Sequence, residues 1–166
     1  MPGQEMTREH LDTLVREFDT AMLVTCTADG QMHARPMAIA QIDDAGRLWF
    51  VTADDTPKVQ EIASQSAVTL TMQGRLTYVA LTGTAETVVD RERIRELWQD
   101  SWRVWFPDGP NSPNLVMLRV EPTHGAFWDY RGSIGVRFLW EAVKAYARGD
   151  RLDRASSERR HGELDL

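Results

Sequence analysis

The run Ala21-Met22-Leu23-Val24-Thr25-Cys26-Thr27-Ala28-Asp29-Gly30-Gln31-Met32-His33-Ala34-Arg35-Pro36-Met37 decides how the chain must be laid out. Met22–Thr27 is apolar and β-branched enough to be a strand, and Asp29-Gly30 is a favoured pair for a tight hairpin. A return strand is therefore expected from Gln31 to about Ile42. Pro36 interrupts it and removes a ladder donor, which places that part of the strand at a sheet edge or a bulge.

Outward from the hairpin the same grammar repeats. Asp43-Asp44-Ala45-Gly46 turns the chain into Arg47–Thr52, whose Leu48, Trp49, Phe50 and Val51 read as a buried strand. A short helix follows from Thr56 to about Ser64, then strands Ala67–Met72 and Thr77–Val89, with Gly74 near the turn and Gly83 a candidate bulge. Upstream, Leu11, Leu14, Val15 and Phe18 fall at helical spacing after Thr7, a candidate cap. Downstream, Asp90 caps a helix carrying Ile94, Leu97 and Trp98, with Arg91, Glu92, Arg93, Arg95 and Glu96 on its solvated face. An aromatic loop over Trp102–Pro110 comes next, then strands Leu115–Val120 and Gly125–Trp128 and a helix Val136–Ala147 ending at Gly149. Successive antiparallel strands with helices at the start, middle and end predict a mainly β fold, a barrel with peripheral helices.

At 166 residues and 42% hydrophobic content the chain suits one domain, expected over residues 1–149, with residues 150–166 a charged, flexible tail. The net charge of −6 without a basic face argues against a nucleic-acid partner. Cys26 is the sole cysteine, so an intrachain disulfide and a cysteine metal cluster are excluded, and a buried strand thiol is expected. The histidines are scattered without metal-ligand spacing, and no metal site is expected. No apolar run is long enough to span a bilayer, and Met1–Glu9 has no signal-peptide pattern; a cytoplasmic protein is expected.

One place promises chemistry. Thr56 suits an N-cap and Pro57 the first helical position, so the helix would present free N–H groups beside Lys58 and could hold a phosphate that Arg35 also helps neutralise. His33, two residues before Arg35, falls on the same strand face, either near a cofactor or satisfied by solvent.

From Arg35 onward the chain resembles the flavin-binding split-barrel superfamily of pyridoxamine 5′-phosphate oxidase, above all its general stress protein branch. The resemblance is carried by Leu97-Trp98, Val104-Trp105-Phe106-Pro107-Asp108-Gly109, Pro113-Asn114-Leu115, Leu118-Arg119-Val120-Glu121-Pro122 and Phe127-Trp128-Asp129 in that order. It implies a six-stranded antiparallel split barrel that forms a homodimer and holds FMN at the subunit interface, with FAD or a deazaflavin as lesser alternatives. Carried over by position, Arg35 and Lys58 would grip the FMN phosphate, with Thr52 and Thr56 as hydroxyl donors. Pro36, Met37, Phe50 and Val51 would flank the isoalloxazine or the ribityl chain. Trp128 matches an aromatic near the flavin of the neighbouring subunit, or is a core tryptophan. Trp105 and Phe106 line the substrate side or pack a dimer contact. Tyr78 stands where the oxidases carry a glutamine that touches flavin.

The departures bear on the reaction. After the matching tryptophan the oxidases carry an Arg-x-His-x-Arg run that binds substrate, whereas this chain has Tyr130-Arg131-Gly132-Ser133-Ile134-Gly135. Oxidation of pyridoxamine phosphate is not expected. Two readings stand: a flavin-dependent oxidoreductase acting on an unidentified small molecule or electron donor, and a non-catalytic protein that stores, senses or buffers flavin. No catalytic residue is assigned.

Overall fold

The computed structural model describes residues 2–131 and 161–166. The elements are α1 (Pro2–Val15), β1 (Thr20–Cys26), β2 (Met32–Ala38), β3 (Gln41–Ile42), β4 (Leu48–Ala53), α2 (Pro57–Ser64), β5 (Ala67–Gln73), β6 (Thr77–Val88), α3 (Arg91–Leu97), a 3₁₀ turn (Asp100–Val104), β7 (Leu115–Asp129) and β8 (His161–Asp165). The expected helix Val136–Ala147 lies outside the described residues.

The hairpin forms with β1 and β2 antiparallel and Cys26 opposite Met32. Thr27 and Gln31 extend the pairing through a 2.8 Å hydrogen bond, and Gly30 at φ 87° makes the turn, so the loop is one residue longer than a two-residue hairpin. Pro36 opposes Met22 and costs no ladder bond on the other side, because among the described residues β2 pairs only with β1.

All strand pairs are antiparallel, in the order β2-β1-β5-β6-β7-β4-β3. The expected single return strand breaks at residues 39–40 instead of at Pro36. The Ile39 N–H donates to Asp19 O and the Ala40 N–H to Trp49 O, each at 2.8 Å, so the chain leaves β1 and joins β4. Since β2 and β3 are successive stretches of one run, the sheet curls back on itself. Counting them as one bent strand and leaving aside β8, which pairs only with β7 off the main strand order, the barrel has six among the described residues.

Three further expectations are revised. Thr7 lies inside α1, which begins at Pro2, a residue suited to a first helical turn. The strands expected at Leu115–Val120 and Gly125–Trp128 are one strand, because β6 pairs with it along its whole length. The other edge of β7 is shared, Leu115–Val120 pairing with β4 and His124–Trp128 with β8. The end of the expected flexible tail is thus ordered as β8, and Leu164 and Leu166 pack on the barrel core. Asp90 caps α3 as expected, accepting from the Arg93 N–H at 3.0 Å.

The barrel interior is filled by Leu23, Leu48, Phe50, Leu70, Val79, Leu81, Leu118 and Val120, closed at one side by Leu11 and Leu14 of α1. A second core lies outside β4, where Trp49, Val51, Leu115 and Met117 meet Ile94 of α3 and Trp102. Strand β4 is therefore buried on both faces, which explains its unbroken apolar run.

Gly83 sits where the β6–β7 register shifts, and a Cβ there would lie 2.1 Å from Glu121 O. Gly83→Ala forces two backbones apart and is expected to destabilise the protein by about 2 kcal/mol or more, read as a lower urea midpoint. A wild-type midpoint would mean that the strands do not approach so closely.

His124 on β7 places Nδ1 3.1 Å from Asp165 and Nε2 2.9 Å from Glu163, both on β8. Only the doubly protonated ring donates to both, and these carboxylates, Asp165 first, raise its pKa. A raised folded-state pKa contributes stability below the ordinary histidine value and loses it as pH rises through the folded value. Amide protection factors for residues 162–166 are therefore expected to fall across that window in the wild type but not in His124→Gln.

Candidate functional site

The sequence brings its cationic residues together through barrel closure. A cavity of about 490 Å³ lies between β2, the end of β4, the start of α2 and the loop after the 3₁₀ turn. Arg35, Pro36, Met37, Val51, Thr52, Thr56 and Lys58 all line it. Opposite them stand Trp102, Trp105, Phe106 and Pro107, with Asp108, Ser112 and Asn114 as the polar groups of that wall.

Lys58 follows from the α2 start, where Pro57 occupies the first turn. Its Nζ donates to Thr52 Oγ1 at 3.0 Å. No carboxylate pairs with it among the described residues. Burial, with Arg35 beside it, pulls its pKa below the usual lysine range, while Glu61 and Asp55 act the other way. Thr56 stands at the cap position but does not cap. Its hydroxyl donates to Ala53 O at 2.8 Å, fixing the turn that leads into α2.

Arg35 projects from the edge strand toward α2. Its Nη1 donates to the Thr25 hydroxyl, and its Nη2 lies 3.1 Å from Glu61 Oε2. Glu61, almost wholly buried, also accepts from the Thr25 hydroxyl and faces His33 Nδ1 at 2.6 Å. These contacts, the Thr25 hydroxyl foremost, hold its pKa below the usual glutamate value. His33 and Arg35 do share a face, as two-residue spacing requires.

The aromatic wall is held by turns. Phe106 donates its N–H to Trp102 O at 2.9 Å, Gly109 to Phe106 O at 3.0 Å and Ser112 to Gly109 O at 3.2 Å. Arg91 fastens the far end by donating to Ser112 O at 2.7 Å and to Pro113 O. Trp102 is buried, whereas Trp105 is 64% exposed at the cavity rim.

Three residues named from the sequence do not line this cavity. Phe50 points into the barrel core at 0% exposure, because alternation on β4 turns it away from its neighbour Val51. Tyr78 and Trp128 oppose each other on β6 and β7, where Tyr78 meets Tyr130 edge to face at 6.4 Å. The sequence reading missed Glu61, and it named Trp102 only as part of the aromatic loop. Glu61 follows Lys58 by three residues on one helix, so the two share a side of it, and that spacing was the available signal.

A curled antiparallel sheet, with Arg35 and Lys58 meeting an aromatic wall in a cavity beside a helix start, defines a split-barrel protein. The family model described as "Pyridoxamine 5'-phosphate oxidase like" matches residues 6–153, and the chain belongs to that family. It is similar to general stress protein 26 of Bacillus subtilis, 26% identical over 127 residues that cover 74% of this chain and 87% of that protein. It is also 26% identical over 103 residues to protein bli-3 of Neurospora crassa, covering 55% of this chain and 49%, about half, of that protein. Among solved structures, a putative general stress protein 26 from Jannaschia sp. CCS1 aligns over 98% of this chain and 99% of that one at 27% identity and TM-score 0.67. A pyridoxamine 5'-phosphate oxidase-related, FMN-binding protein from Nostoc punctiforme shares the fold at TM-score 0.60 and 15% identity, over 75% of this chain and 83% of that one.

Core and rim differ in energetic cost. Phe50→Ala is expected to lose about 3–5 kcal/mol of stability, and Trp105→Ala to stay within about 0.5 kcal/mol of the wild type, both from urea unfolding. A large loss in the Trp105 variant would mean that its ring is part of the core.

Proposed function

We propose that this chain is a flavoprotein whose cavity binds FMN, with Arg35 and Lys58 on the phosphate. The observation that carries the reading is the meeting of these two cations, drawn from separate elements, in one cavity with an aromatic wall. The fit is chemical: a partly buried ammonium that no carboxylate pairs with among the described residues, its proton affinity lowered by burial and by Arg35, gains from a bound phosphate dianion. A volume of about 490 Å³ lies within the range of small-molecule sites. Family membership supports the same ligand, and the Nostoc protein of this fold is described as FMN-binding.

Bound flavin supplies electron transfer, and the protein's part is to hold and orient it. Arg35, Lys58 and the opening of α2 fix the phosphate. Thr52 and Thr56 offer hydroxyls, and Pro36, Met37 and Val51 form the wall along which the rest of the molecule extends. Trp105 and Phe106 face the second reactant. Trp128 and Tyr78, absent from this cavity, serve a pocket completed by a second copy in a homodimer. The protein is a cytoplasmic oxidoreductase on a small molecule other than pyridoxamine phosphate, since Tyr130-Arg131-Gly132-Ser133-Ile134-Gly135 replaces the substrate-binding basic run.

Arg35→Ala with Lys58→Ala removes charge-assisted contacts worth on the order of 1.5–3 kcal/mol each, so FMN affinity is expected to fall at least tenfold in a fluorescence titration. Unchanged affinity overturns the site. Anaerobic reduction of bound FMN then separates the two roles: an acceptor that reoxidises it faster than free FMN marks an enzyme, and equal rates mark a flavin holder.

A further inference from the structure

Behind the cavity wall, three side chains from two strands converge on one carboxylate of α2. Glu61 Oε2 accepts from the Thr25 hydroxyl and from Arg35 Nη2, while Oε1 faces His33 Nδ1 at 2.6 Å. Thr25 belongs to β1, and His33 and Arg35 to β2. Glu61 is almost wholly buried, whereas the His33 side chain is half exposed and can exchange a proton with solvent. A buried negative charge beside an anion site opposes ligand binding unless another group balances it.

We propose that Glu61 is the counter-charge of the anion cavity and that His33 governs how much of it falls on Arg35, so that the cavity binds a dianion more tightly when His33 is protonated. The proposal rests on the phosphate-binding reading above and deepens it. With His33 neutral, its Nδ1–H gives Glu61 a hydrogen bond but no charge, and the full carboxylate charge is set against Arg35 and Lys58. The four groups then sum to one positive charge. Protonation of His33 gives the carboxylate a second cation, and the sum becomes two, matching a phosphate dianion.

The other charges facing these groups are few. Asp29, in the turn between β1 and β2, feels the His33 charge. Asp55, just before α2, acts on Lys58 together with Arg35 and Glu61. Histidine is the side chain whose ordinary titration falls between pH 5 and 8. Burial and Arg35 also lower the proton affinity of Lys58, so the His33 contribution is isolated by substitution.

The test uses sulfate, which stays a dianion over this range while the phosphate of FMN itself titrates near pH 6. Sulfate competes with FMN for the full-length protein at constant ionic strength, at about pH 5.5 and about pH 7.5. The wild type is expected to bind sulfate more tightly at the lower pH by roughly fivefold. His33→Gln, which keeps a donor to Glu61 without a titrating charge, is expected to lose most of that difference. Glu61→Gln is expected to bind sulfate at least as tightly as the wild type at the higher pH. An undiminished pH response in His33→Gln, or weaker binding in Glu61→Gln, overturns the proposal while leaving the FMN reading intact. Failure of the wild type to bind FMN at either pH overturns that reading and this inference with it.

Discussion

Two neighbouring amides point to different partners, and the rest of the molecule depends on that switch. Ile39 donates to the residue before β1 and Ala40 to β4, so one short stretch of chain belongs to both ends of the sheet order. Without it β2 and β4 would be the opposite ends of an open sheet. With it, Arg35 on β2, Thr52 on β4 and Lys58 on α2 line one cavity. The meeting of Arg35 and Lys58 in one cavity is therefore a consequence of that joining.

Much of this was legible in the sequence, for physical reasons that can be named. Asp-Gly pairs and β-branched runs announce hairpins because few residues tolerate those dihedrals. Thr56-Pro57-Lys58 announces a helix start because proline fits only there, although the threonine hydroxyl turned back to Ala53 instead of capping. Phe50 shows what local pattern misses. An apolar run with no polar alternation gives no indication of which side is inward, and only packing on both faces of β4 sent Phe50 to the barrel and Val51 to the cavity. Strand β8 was illegible for a different reason. Its five residues are mostly polar or small and pair with a strand more than thirty residues back along the chain. Short edge strands take their stability from their partner and little from their own propensity.

The family and the cavity constrain function from different directions. Membership accounts for the barrel, and the local residues decide what the cavity can accommodate. Here the wall facing the cations is aromatic, with one buried ring and one exposed ring. Such a wall offers apolar, stackable surface where the other side offers charge.

Strand β4 also works as a partition between two cores. Leu48 and Phe50 belong to the barrel, while Trp49 and Val51 anchor α3 and the turn that carries the aromatic wall. The outer layer is fastened to the barrel through few shared residues, so it can be rebuilt with little repacking inside. Divergence among proteins of this fold would then concentrate on the outward faces of β4 and of the start of β7, and on the loop they support. The barrel would persist beneath changing roofs without having to be reinvented.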